Sequence, residues 1–130
     1  MQLLFLSNAY PPGHLGGYEE LCQDVVLGLR RRGHRVTVLT TRGLTDNGDG
    51  HEADVIRTLK PEVAIGDPMA TLRLVFGRAR RRKRNLHELS QALGRAQPDA
   101  AVVWGMWNLA PALAADLEAA LDSRVLYYVA

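Results

Sequence analysis

The first forty residues constrain the fold more than any other part of this chain. Met1–Leu6 is a short run, apolar apart from Gln2, as expected of a parallel strand buried on both faces. Beyond the loop Asn8–Glu20, Leu21, Val25 and Leu29 recur at helical spacing, with Cys22 and Val26 beside them. Glu19, Glu20 and Asp24 near the start of that helix and Arg30, Arg31 and Arg32 near its end each match the helix dipole, and Gly33 supplies a left-handed stop. Arg35–Thr40 is then a second short strand, rich in β-branched residues. Strand, helix and strand in so short a span imply a right-handed parallel unit.

The alternation continues to the end. Gly43–Glu52 is polar, carries the turn signals Asn47-Gly48 and Asp49-Gly50, and is expected to be mobile. Ala53–Leu59 reads as a third, weaker strand at or near a sheet edge, followed by a connection containing Pro61 and Pro68. From Met69 to Gln97 apolar positions keep helical spacing, which fits one long helix or two, ended by Pro98-Asp99. Ala100–Trp104 is a fourth strand leading into Gly105–Asn108. Asn108 is placed to cap a helix over about residues 109 to 121, with Pro111 in its first turn, and Arg124–Val129 is a fifth strand. Five strands alternating with helices predict an α/β fold, an open, doubly wound parallel sheet in the order 3-2-1-4-5. In that order the first and fourth strands flank the switch point, so the loops Asn8–Gly17 and Gly105–Asn108 meet at one crevice.

At 130 residues the chain is one domain by length, and 16 basic against 14 acidic residues call for neither nucleic acid nor membrane on global charge. The single cysteine, Cys22, has no internal disulfide partner and no basic helical neighbour, so it is expected to be a buried, unreactive thiol in a reducing compartment. No signal peptide or membrane-spanning run is evident, which places the chain in the cytoplasm.

Glycine lets backbone approach a ligand closely, and a helix start offers unpaired N–H groups, so Gly16-Gly17 is a candidate phosphate contact. A plain helix-capping turn is the alternative. The spacing of Gly13, Gly16 and Gly17 fits neither the dinucleotide fingerprint nor a P-loop. His87-Glu88 fails the zinc-protease pattern, and no other His or Cys cluster has metal spacing, so no metal is expected.

Taken together, Ser7–Pro12 with Gly16, Gly17, Tyr18 and Glu19, then Leu29–Thr40 around Gly33-His34, and Pro98-Asp99 before the fourth strand resemble the N-terminal domain of retaining GT-B glycosyltransferases of the family 4 type. The likeness is dense over the first forty residues and lies in layout beyond them. It implies a Rossmann-like acceptor-side lobe of a bilobal enzyme that transfers a sugar from a nucleotide-sugar, a substrate rather than a cofactor, by front-face displacement at the anomeric carbon. It implies a donor-diphosphate role for Gly16 and Gly17, and makes Asn8, Tyr10, His14, Trp107 and Asn108 acceptor-contact candidates. The second lobe with its acidic pair is missing, so the resemblance implies a fragment that is inactive alone. No catalytic base is assignable. Two amide hydrogen bonds offer roughly 3 to 6 kcal/mol gross against an association cost of at least about 4 kcal/mol, so donor binding by this chain is expected to be millimolar or weaker.

Arg78, Arg80, Arg81, Arg82, Lys83 and Arg84 place six cations within seven residues. An anionic membrane surface is the partner such a run suits, and the resemblance adds a lipid-linked or envelope glycan acceptor at the inner face of the membrane; a merely solvated face is the alternative. No aromatic is interleaved with the run, which argues against nucleic acid. Two other functions stay open on the residues alone. One is a stand-alone nucleotide or dinucleotide module, for which Arg42 after the second strand would suit a 2′-phosphate. The other is a non-enzymatic interaction domain that self-associates through the edge of the fifth strand.

Overall fold

In the computed structural model, residues 1–12, 16–42, 52–62, 68–105 and 108–129 are described. The chain runs β1 (Gln2–Ser7), α1 (Gly17–Arg31), β2 (Arg35–Thr41), β3 (Val55–Leu59), α2 (Pro68–Phe76), α3 (Arg78–Ala96), β4 (Ala100–Trp104), α4 (Pro111–Leu121) and β5 (Val125–Tyr128). All strand pairs are parallel and the sheet order is β3-β2-β1-β4-β5, the doubly wound order expected. The polar loop expected to be mobile lies almost wholly outside the described residues.

Alternate residues of β1 serve different cores, which is why its apolar run is unbroken. Leu4 and Leu6 join Leu89, Ala92, Leu113 and Leu117 beneath α3 and α4. Phe5 joins Cys22, Val26, Val36 and Val38 beneath α1. Both edge strands are less protected than the centre: β3 is partly buried for most of its length, and Leu126 of β5 is 66% exposed.

The helical stretch after β3 resolves into two helices. Gly77 leaves helical geometry between them (φ −93°, ψ 9°), while its N–H still donates to the Arg73 carbonyl at 3.3 Å. α3 ends at Gln97 in the left-handed region, its N–H bonded to the Leu93 carbonyl, and Pro98 follows. The helix before β5 starts differently from the sequence expectation. Its N-cap is Ala110, with no side-chain cap, and Pro111 opens the first turn; Asn108 is buried two residues upstream instead.

Asn85 joins α3 to the chain leaving β3. Fully buried, it accepts from the Lys60 N–H at 2.9 Å and donates to the Lys60 carbonyl at 2.8 Å. Replacing it with alanine removes both bonds and orphans two backbone groups. Asn85→Ala is therefore expected to lower unfolding stability by about 2–3 kcal/mol, read as a lower urea midpoint. An unchanged midpoint would rule out this anchoring role. Among the described residues no helix is long and apolar enough to cross a membrane.

Candidate functional site

β1 and β4 lie side by side with Ser7 opposite Trp104, so the loops leaving them do start from one point at the carboxyl edge of the sheet. The loop leaving β1 is held by three side chains. Ser7 Oγ donates to the Ala9 carbonyl at 2.6 Å, Thr41 Oγ1 to the Asn8 carbonyl at 2.7 Å, and Arg57 Nη1 to the Tyr10 carbonyl at 2.9 Å. The other Arg57 nitrogen, Nη2, donates to the Pro11 carbonyl, and the guanidinium lies 5.7 Å from the Tyr10 ring centroid, a cation–π contact. The loop after β1 is thus tied to the end of β2 and to the middle of β3.

Asn8 is the most informative residue in this loop. Its side chain is buried, the residue being only 3% exposed, yet neither amide atom has a hydrogen-bond partner among the described residues. Buried polar atoms rarely stay unpaired, because each forfeits about 1–3 kcal/mol of hydration without return. Among the described residues the Asn8 amide is thus a buried polar group at the sheet switch point with no return for its lost hydration. Tyr10 lies deeper than an acceptor contact would. It packs with Phe5, Val26 and Trp104, and its phenol, also unpaired among the described residues, is held well above the ordinary tyrosine range, chiefly by burial and next by the Glu52 charge.

The start of α1 forms the second side. Gly16 is the N-cap in extended conformation with no side-chain cap, and a Cβ added at Gly16 or Gly17 would meet no atom within 4 Å among the described residues. The two glycines thus border open space at the positive end of a 15-residue helix. Their placement depends on an aromatic wall. Trp104 stacks on Tyr128 with centroids 4.0 Å apart, and Tyr18 packs 5.7 Å from each. Trp104 Nε1 donates to the Tyr18 carbonyl at 3.1 Å and Tyr18 Oη donates to the Tyr128 carbonyl at 2.9 Å. Helix α1 is thereby fastened over the ends of β4 and β5, with Gly105 against the Tyr18 ring.

Asn108, in the connection after β4, is buried, and its carbonyl accepts from the Glu62 N–H at 3.0 Å. His14 and Trp107 lie outside the described residues. Thr41, Arg57, Tyr18 and Tyr128 are the site-shaping residues that sequence reasoning passed over. A lone arginine inside the short β3 run was the one available signal, since charge in a strand interior needs a partner.

The basic turn divides. Arg78, Arg80, Arg82, Lys83 and Arg84 are exposed, but Arg81 is not a surface residue. It is buried and meets Glu62 at 3.1 Å, with Arg78 3.4 Å from the same carboxylate oxygen. Helical geometry explains the split. Arg81 lies four residues before Asn85 and eight before Leu89, both inward-facing, so its position shares the buried stripe of α3. Among the described residues no group of His, Cys, Asp and Glu is placed to hold a metal. Compared with known protein families, curated proteins and solved structures, the chain matches none.

Proposed function

We propose that this chain is the acceptor-side lobe of a glycosyltransferase that uses a nucleotide-sugar donor. The observation that carries the reading is the pairing, at one switch point, of the buried Asn8 amide, unpartnered among the described residues, with the open helix start at Gly16-Gly17. In this reading the Gly16 and Gly17 backbone faces the donor diphosphate, while Asn8 and Asn108 lie on the acceptor side, with His14 and Trp107 as further acceptor contacts. The acceptor is a glycan, lipid-linked or of the cell envelope. Transfer itself is front-face displacement, the donor phosphate leaving as the acceptor oxygen bonds to the anomeric carbon. It calls for a second, nucleotide-holding lobe whose residues are not among these 130.

Glu19 and Glu20 occupy the same first turn of α1 and already complement its dipole, so diphosphate binding here is weak. Saturation-transfer NMR with a panel of nucleotide sugars tests the proposal. A saturable signal is expected with a dissociation constant of about 1 mM or weaker, and Gly16→Ala and Gly17→Ala should reduce it severalfold with an unchanged far-UV spectrum, because the added methyl meets ligand and not protein. The reading fails if no nucleotide sugar gives a saturable signal, or if both variants bind like the wild type.

A further inference from the structure

At the opposite edge of the sheet from the crevice, the amino ends of β1, β2 and β3 and the last turn of α3 line a cleft of about 270 Å³. Strand alternation explains its polarity. Leu4, Leu39 and Ile56 belong to the core beneath α3, so Gln2, Arg35, Thr37 and Asp54, at even spacing from them, share that sheet face. Further along the strands the face is sealed by apolar side chains. At the amino edge its positions are polar, and α3 closes the cleft with Arg95 and Ala96.

Opposite charges line this cleft without meeting. Among the described residues no ion pair joins Arg35 or Arg95 to Asp54, and none of the three has another ion-pair partner. Two guanidinium groups against one carboxylate leave the cleft cationic, and each guanidinium presents a fork of donors that matches phosphate oxygens. A phosphate monoester is close to doubly charged at neutral pH, a charge that the two arginines balance. Asp54 only accepts, so it repels the phosphate and suits hydroxyl donors elsewhere on the ligand. It is also held at φ +68°, left-handed backbone that glycine occupies with less strain, so the carboxylate is kept there at a conformational cost. The volume lies just below the usual range of ligand sites, about 300–1,000 Å³, which restricts the ligand to a small one.

We infer that this cleft binds a small phosphate monoester bearing hydroxyl groups, with Arg35 and Arg95 on the phosphate and Asp54 accepting from the hydroxyls. The cleft is built from β1, β2, β3 and α3 and shares no residue with the crevice at Asn8 and Gly16. β1 is six residues long, so the two sites lie roughly 15–20 Å apart along the sheet. This is a second site, and it stands or falls independently of sugar transfer. Arg35, Asp54 and Arg95 are exposed to water, which screens their charges and keeps the affinity near the millimolar range.

Titration of the isotope-labelled full chain with glycerol 3-phosphate, followed through backbone amide shifts, tests it, with glycerol and inorganic phosphate as comparators. Saturable shifts are expected at Gln2, Arg35, Asp54 and Ala96, while Gly16 and Gly17 stay unmoved. Glycerol should give none, and inorganic phosphate should bind about threefold more weakly or worse, because it has no carbon-borne hydroxyl for Asp54. R35A/R95A should weaken glycerol 3-phosphate binding about tenfold or more with an unchanged urea midpoint, since neither side chain has an ion-pair partner among the described residues. Asp54→Gly suits the local backbone and should weaken the ester about threefold while leaving inorganic phosphate no weaker. No saturable shift at the amino edge, or R35A/R95A titrating like the wild type, overturns the inference. Inorganic phosphate binding as tightly as the ester does so too, since the cleft would then hold an adventitious ion only. A large fall in the urea midpoint of R35A/R95A would assign the arginines to the fold, with the same result.

Discussion

Native protein is expected to leave Cys22 essentially unmodified by thiol reagents at pH 8, while the same chain in urea reacts within minutes. The thiol is fully buried beneath α1, and burial is the main cause that pushes its pKa to about 12; the Ser7 hydroxyl acts the other way and the Glu19 charge reinforces the rise. At pH 8 roughly one molecule in ten thousand then carries the thiolate, against about one in ten for a thiol of pKa 9. Native modification should thus be slower by about a thousandfold from ionisation alone, before access is considered. The same displacement fixes a pH dependence. The folded state holds this proton more tightly than the unfolded chain, so the contribution is complete below about pH 9 and is lost as pH rises towards 12. Rapid stoichiometric labelling of the folded protein would show that Cys22 is not the sealed core residue described. Loss of stability on lowering the pH from 9 to 8 would have the wrong sign for this group.

Gly105→Ala is expected to be the most damaging single-methyl change near the crevice. Gly105 has φ +66°, and a Cβ there would lie 2.8 Å from Cε1 and 3.2 Å from Oη of Tyr18. Left-handed backbone costs a non-glycine residue about 1–2 kcal/mol, and displacing a packed ring adds about 1–3 kcal/mol. The combined loss in unfolding stability is about 2–5 kcal/mol. The consequence reaches beyond stability, because Tyr18 carries the hydrogen bonds that fasten the start of α1 to Trp104 and Tyr128. Urea unfolding of Gly105→Ala, Tyr18→Ala and the double variant separates the two contributions. The double variant should be more stable than the sum of the single losses predicts, since Tyr18→Ala removes the clash and leaves the backbone strain. Strict additivity would mean that the ring contact is harmless. Gly16→Ala provides the contrast, with extended backbone and open space around the new methyl.

The candidate site was legible in the sequence only in part, and particular residues show why. Gly16, Gly17 and Asn8 stand out in sequence because they lie between a strand and a helix whose boundaries local patterning defines. Tyr18 and Tyr128 are 110 residues apart, and their hydrogen bond is invisible until the sheet brings β5 beside β4. Arg57 reaches the loop after β1 across β2, and Thr41 reaches it from the end of β2, contacts that depend on strand order and register. Helical spacing spreads the six-cation run around most of the helix circumference, and only the rotation of α3 relative to its core face singled out Arg81. The apolar spacing from Met69 to Gln97 left one helix or two open, and the structure breaks it at Gly77 with most of α2 in solvent.

By itself the sequence determined the order and kind of elements, the parallel doubly wound topology and the burial of Cys22. These arise from short-range patterning and from the handedness of strand–helix–strand connections, both encoded within a few turns of chain. Only the tertiary structure decided which polar groups go unpaired, which arginine turns inward and which apolar helix stays exposed. Those outcomes depend on groups far apart in sequence competing for the same partners and the same buried space, which no local pattern records.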